Sequence, residues 1–147
     1  MKPAALYFAA PLFTPWERIL NERLVSKLEA VYTVFLPQRD GLLLPGSDLS
    51  SYEFQLSSRR VFEMDVNAIK ASSVIFAVLD GRTVDEGVAL ELGLAWALGK
   101  RCVGYRTDSR VLLEHGINPM IANACELIVA SEEQLSQWLA LEAGKSH

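Results

Sequence analysis

Side chains that bind metals are scarce in this chain. It has two histidines, His115 and His147, and two cysteines, Cys102 and Cys125, in 147 residues. The cysteines show no CxxC spacing, so a His/Cys metal site is disfavoured and two buried, reduced thiols are the expectation. Positive charge is in deficit as well, with 14 Lys+Arg against 18 Asp+Glu and a net charge of −4. A protein that grips a nucleic-acid backbone needs a basic stripe, so that partner is excluded. No apolar run approaches the ~18–20 residues needed to span a bilayer, so no membrane partner is expected. Also missing are GxGxxG, GxxxxGK[ST] and GxSxG, which argues against a nucleotide cofactor or an elbow serine. The chain is read as working without metal or cofactor, in the cytoplasm, where thiols stay reduced.

Half of the residues are hydrophobic and 22% are charged, a globular composition. With no linker, repeat or low-complexity stretch, a single domain over residues 1–147 is expected. Short apolar runs at Ala5–Ala9, Val31–Leu36, Ser73–Leu79, Arg101–Tyr105 and Leu127–Ala130 read as strands. The first of them, with a proline-bearing loop behind it, reads as a strand rather than a signal peptide. Helical patterns lie between the strands, at 15–29, 52–71, 86–99 and 132–141. Thr14-Pro15-Trp16-Glu17 and Ser131-Glu132-Glu133-Gln134 supply capping-box starts for two of them. Strands alternating with helices imply βαβ units. The expected fold is α/β: a flavodoxin-like, doubly wound, five-stranded parallel sheet with helices on both faces and strand order 2-1-3-4-5. Ligands bind such sheets beyond the carboxyl ends of the strands, which directs attention to the loops there.

Those loops are rich in acids. The third strand runs into DGRTVDEG and then into the helix VALELGLAWALGK, whose only charge between Val88 and Gly99 is Glu91. At three and four residues from Glu91 stand Gly87, Val88, Leu94 and Ala95, so the carboxylate projects from an apolar face. Such a group has a partner or a purpose. Arg82, Lys100 and Arg101 are the available salt-bridge partners. Gly87 leaves space beside the carboxylate on the side toward which helical side chains lean. Asp85 is placed to cap the same helix. Asp65 shares a helix face with Phe62, Val66 and Ile69 and also points toward the interior or its rim. Two carboxyl groups in one apolar-walled cleft acquire different pKa values and divide into nucleophile and acid, as in a retaining glycosidase. Tyr7, alternating with Leu6 and Phe8 on the first strand, is either a core aromatic or the hydroxyl that orients a catalytic carboxylate. Ser57 to Arg60 read as a solvated helix face.

Together these residues resemble the nucleoside 2-deoxyribosyltransferase family. The pieces are Tyr7-Phe8-Ala9-Ala10 with Phe13-Thr14, the helix Asp65-Val66-Asn67-Ala68-Ile69, a strand ending in Asp80, Asp85-Glu86-Gly87 with Glu91-Leu92-Gly93, Gly99-Lys100, and Asn118-Pro119-Met120. The resemblance implies that Glu91 attacks the anomeric carbon of a 2′-deoxynucleoside and that Tyr7 orients it. Asp65 would serve the departing and incoming nucleobase as proton donor and acceptor. Asp85 would hold the sugar hydroxyls, together with an Asn118 supplied by a neighbouring subunit of a homo-oligomer. Phe13, Asp80 and Gly87 complete the expected substrate-binding set. The implied partners are 2′-deoxynucleosides and free nucleobases, exchanged through a covalent 2-deoxyribosyl ester with retention.

Two other readings predict different behaviour. A related branch hydrolyses 2′-deoxynucleoside 5′-monophosphates with the same glutamate, but places serine where this chain has Asp85 and Asn118. A carboxylate beside a dianionic phosphate is repulsive, so Asp85 points to a free 5′-hydroxyl. A non-catalytic flavodoxin-like domain, in which Glu91 and Asp65 merely bind, would hold a nucleoside or nucleotide without turnover.

Overall fold

The computed structural model describes residues 3–44, 50–110 and 116–145. His115, His147 and the end of the Pro37–Gly46 loop lie outside them. Five strands, β1 (Ala5–Ala9), β2 (Thr33–Phe35), β3 (Val74–Val78), β4 (Arg101–Tyr105) and β5 (Leu127–Val129), form one sheet. Its order is β2-β1-β3-β4-β5 and every pairing is parallel. The helices are α1 (Pro15–Leu28), α2 (Pro37–Asp40), α3 (Ser51–Ala71), α4 (Glu86–Ala97), α5 (Pro119–Ala124) and α6 (Glu132–Lys145). The flavodoxin-like, doubly wound arrangement expected from the alternating pattern is therefore the one observed.

Side chains alternate across the two central strands, and this divides the core into two layers. Leu6 and Phe8 of β1 join Val74, Phe76 and Val78 of β3 beneath α1 and α6. Tyr7 and Ala9 join Ile75, Ala77 and Leu79 beneath α3, α4 and α5. The first layer is aromatic, with Phe76 stacked on Phe8 at 5.7 Å and on Trp138 at 6.1 Å between ring centres. The second layer holds smaller residues and carries Asp65 and Glu91.

Helix starts follow their capping chemistry. Thr14 accepts from the Glu17 amide while Glu17 accepts from Thr14, and Ser50 and Glu53 do the same for α3. Asp85 accepts from the Val88 amide at the start of α4, and Gly99, at φ +69°, ends it. Three expected strands are shorter than their apolar runs, the one at Ser73–Leu79 by a single residue at each end. Val31 and Tyr32 still donate to the Leu28 carbonyl at the end of α1, and the Leu36 carbonyl is taken by α2. The Ala130 amide donates to Gln134 rather than to a neighbouring strand. In the other direction, α6 continues past Leu141 to Lys145 because Trp138, Leu139 and Glu142 stay buried. Two helices fell outside the expected set, α2 and α5, both short and both opened by proline. Among the described residues, no helix is long and apolar enough to cross a membrane.

Candidate active site

Three elements of the second layer bring Tyr7, Asp65 and Glu91 together. Tyr7 is fully buried on β1 and stacks on Phe35 of β2, ring centres 5.6 Å apart, which fixes the direction of its hydroxyl. Phe35 is its register partner. Glu91 lies midway along α4, where Val88, Leu92 and Ala95 face the sheet. Asp65 is half-buried on α3. The Tyr7 hydroxyl and Glu91 Oε2 are both sealed from solvent, and neither has a hydrogen-bond partner of good geometry among the described residues. Two orphaned buried polar atoms in one place are costly for folding alone.

The cations that would neutralise Glu91 are engaged elsewhere. Arg101 binds Glu126 and Glu142, and the Lys100 ammonium donates to the Lys70 carbonyl. Arg82 is exposed at the mouth of a separate concavity. Burial, reinforced by the neighbouring charge of Asp65, pushes the Glu91 carboxyl up to about 8. The facing Tyr7 hydroxyl pulls it partway back, and Asp85 adds a further upward push. Burial raises Asp65 to about 6. The Tyr7 hydroxyl is raised far above its ordinary value, chiefly by burial and then by Glu91 and Asp65, so it remains a donor. The site thus holds two carboxyls of unequal acidity and one hydroxyl able to donate to the less acidic of them.

Gly87 keeps space open beside these groups. A Cβ at this position would lie 3.2 Å from Asp85 Oδ2 and 4.0 Å from Glu91 Oε1. Asp85 is the helix cap that its position suggested, using Oδ2 at 3.1 Å from the Val88 amide. It shares a concavity of about 490 Å³ with Phe13 and Asp80, at the carboxyl ends of β1 and β3. Asp80 also has structural work there. It accepts from the Thr107 hydroxyl at 2.6 Å and the Asp108 amide at 2.9 Å, while Asp108 accepts from Gly81. This brace ties the loop after β3 to the loop after β4. Sequence reasoning did not find Thr107, Asp108 or Phe35, because their roles depend on which strands are neighbours.

One expected residue stands apart. Asn118 caps α5, accepting from the Met120 amide at 2.8 Å, and lines a concavity of about 370 Å³ with Ala89. Ala89 is two residues from Glu91, about 200° around α4. Within one chain, Asn118 and Glu91 therefore lie on opposite flanks of the helix.

A parallel α/β sheet whose carboxyl edge carries an acid-rich, half-buried cleft is an arrangement able to do acid–base and nucleophilic chemistry. The chain belongs to the nucleoside 2-deoxyribosyltransferase family, whose model matches residues 6–137 and whose members transfer glycosyl groups of nucleosides. Among solved structures, a conserved protein from Enterococcus faecalis V583 is 26% identical with a TM-score of 0.77, over 95% of this chain and 98% of that one. A 2-deoxyribosyltransferase from Bacillus psychrosaccharolyticus is 24% identical, TM-score 0.71, over 90% of both chains. A CMP N-glycosidase from Clostridium botulinum is 19% identical, TM-score 0.57, over 92% of this chain and 98% of that one. The last two likenesses concern the fold. No curated protein sequence matches.

Proposed function

We propose that the protein is a nucleoside 2-deoxyribosyltransferase, the whole chain acting as one domain that exchanges the nucleobase of 2′-deoxynucleosides. The observation that carries this reading is the orphaned pair formed by the Tyr7 hydroxyl and Glu91 Oε2 in a dry setting beside Asp65. Ionised Glu91 attacks C1′, the bond to the nucleobase breaks, and Asp65 delivers a proton to the departing base. A 2-deoxyribosyl ester of Glu91 results. A second nucleobase then attacks C1′ from the face the first one left, Asp65 takes its proton, and the ester bond breaks, so configuration is retained. An apolar helix face limits the access of water to the ester. Tyr7 holds the attacking carboxylate, and Asp85 receives a sugar hydroxyl in the space above Gly87. Phe13 and Asp80 line the sugar end of the cleft, and Asn118 comes from a second copy of the chain.

The test is chromatography of the protein with 2′-deoxyinosine, with and without adenine, alongside 2′-deoxyinosine 5′-monophosphate. Formation of 2′-deoxyadenosine only when adenine is present is the expected result. Release of hypoxanthine from the monophosphate, with no exchange, would assign the chain to nucleotide hydrolysis instead. Binding without turnover would make it a sensor.

A further inference from the structure

Helix α1 buries one polar side chain. Asn21, 2% exposed, shares its inward stripe with Leu24, Val25 and Leu28. A leucine would continue that stripe, and a buried amide is costly unless its polar atoms find partners. Those partners lie in two loops at the carboxyl edge of the sheet. Asn21 Nδ2 donates to the Pro11 carbonyl at 2.9 Å, in the loop after β1, and to Gln38 Oε1 at 2.9 Å, in α2 after β2.

Hydrogen-bonding sense fixes both amides. The Pro11 carbonyl can only accept, so Asn21 must turn its NH2 group toward it. Gln38 must then offer Oε1 to Asn21, which directs its own NH2 group to the Arg18 carbonyl at 3.1 Å and to Glu22 at 3.4 Å, both acceptors. One orientation of the pair satisfies the whole chain of bonds, and Gln38 selects the orientation of Asn21 that holds the loop. Arg18, one turn earlier on α1, donates to the Leu12 carbonyl at 2.9 Å from the exposed side. Among the described residues no backbone amide reaches either loop carbonyl, so these side chains supply the donors that a strand would have given.

The segment held in this way forms a wall of the cleft. Pro11 and Phe13 line the concavity of about 490 Å³ that also contains Asp80 and Asp85. Glu17 accepts from the Phe13 amide at 2.8 Å, which secures the far end of the segment. At the other end of the relay, Gln38 stands three residues after Phe35, the ring stacked on Tyr7. We propose that Asn21 is a positioning residue of the active site. From the sheet face opposite Glu91 it locks the Pro11–Phe13 wall to α2, and Gln38 keeps its amide turned the right way. The proposal rests on the reading of this cleft as the place where the sugar binds.

Asn21→Leu keeps the bulk of the side chain and removes both donated bonds, and Gln38→Met removes the one that orients the amide. The quantity to measure is KM for the deoxynucleoside, because KM does not depend on the fraction of protein that is folded. Asn21→Leu should raise KM at least about tenfold with kcat within about threefold, since the wall contacts substrate and transition state alike. Gln38→Met should raise KM about threefold. The double variant should be no worse than Asn21→Leu, because Gln38 acts through Asn21. A lower melting temperature with KM unchanged would make Asn21 a structural residue only and overturn the proposal, as would additive effects in the double variant. Should Asn21→Leu fail to fold, Gln38→Met decides alone, and an unchanged KM overturns the proposal. Wild type that exchanges no bases would overturn the transferase reading instead. The same comparison then uses KM for the monophosphate if it is hydrolysed, or the calorimetric Kd for 2′-deoxyinosine if that is only bound. Wild type that neither turns over nor binds overturns both.

Discussion

Glu91 and Glu142 both sit on apolar stripes of helices, one on each side of the same sheet. Glu142, with a side chain 6% exposed, accepts from the Tyr32 hydroxyl at 2.7 Å, from Arg101 at 2.7 and 3.0 Å, and from Lys145 at 2.9 Å. The Arg101 guanidinium, with help from Tyr32 and Lys145 against the cost of burial, holds its carboxyl down to about 2. Glu91 faces the Tyr7 hydroxyl but no cation among the described residues, and burial with Asp65 nearby holds it up to about 8. The same side chain in the same kind of sequence setting is a paired anion in one layer and a carboxyl that holds its proton in the other. Arg101, delivered by β4 to one glutamate and not to the other, makes the difference.

The sharpest way to break the contrast is Glu91→Gln, which should lower base exchange by at least about 10³-fold, since a nucleophile has no substitute. The variant should stay folded, and retention of turnover above a tenth of wild type in a chromatographic assay would sink the assignment. Asp65→Asn should slow cleavage about 10²-fold for bases that leave only when protonated, and less for others. It also leaves Glu91 as the one titrating group of the pair, so the descending limb of the pH–rate profile should disappear. Wild type should show a bell between about 6 and about 8, the values at which the pair loses its two protons. A descending limb that persists in the variant would mean that Asp65 is not the group whose ionisation ends activity.

Glu142→Ala should act on stability instead. Leaving Arg101 and Tyr32 without their buried acceptor should cost about 3 kcal/mol in urea unfolding, with kcat/KM of the folded protein within about twofold of wild type. The two glutamates should also respond oppositely to pH. The unfolded chain loses the Glu91 proton near 4.5 and the folded chain near 8, so between these values the folded form alone keeps it and stability falls as pH rises. Glu91→Gln lacks this loss and should gain on wild type by on the order of 2 kcal/mol from pH 5 to pH 8. Glu142 ionises more readily when folded, so its contribution is complete above the unfolded value near 4.5 and disappears as pH falls toward 2. Melting curves across the range should show both slopes; parallel curves for Glu91→Gln and wild type would show that Glu91 ionises normally. The smallest effect belongs to Gly87→Ala. Its methyl group presses on Asp85 and touches Glu91, and should lower kcat/KM by about fivefold to tenfold while stabilising the helix by ~0.5–1 kcal/mol. Unchanged kinetics would place the substrate elsewhere.

The sequence carried the fold because its signals are local. The apolar runs of β1 and β3 and the caps at Thr14 and Asp85 can be read without knowing any neighbour. The cap and proline of Asn118-Pro119 were equally readable, but six residues hold too little periodicity to mark α5 as a helix. For the site, the acid at Glu91 was conspicuous among apolar residues. Glu142 bears the same mark beside Leu135, Trp138 and Leu139, yet lay just beyond the helix expected at 132–141. Telling the two apart needs Arg101, a residue 41 positions from Glu142 and adjacent only through the order of the strands. The brace of Asp80 on Thr107 and Asp108 is hidden for the same reason.

The alternation of β1 has one more consequence. Tyr7 reaches the layer of Glu91 because it is odd-numbered on a strand hydrogen-bonded on both sides, to β2 and to β3. Inserting or deleting one residue just before it would exchange the two layers, presenting Phe8 to Glu91 and sending the hydroxyl among the aromatic rings below Trp138. The hydroxyl's address is a matter of parity, and a reading frame of two is what the central strand preserves.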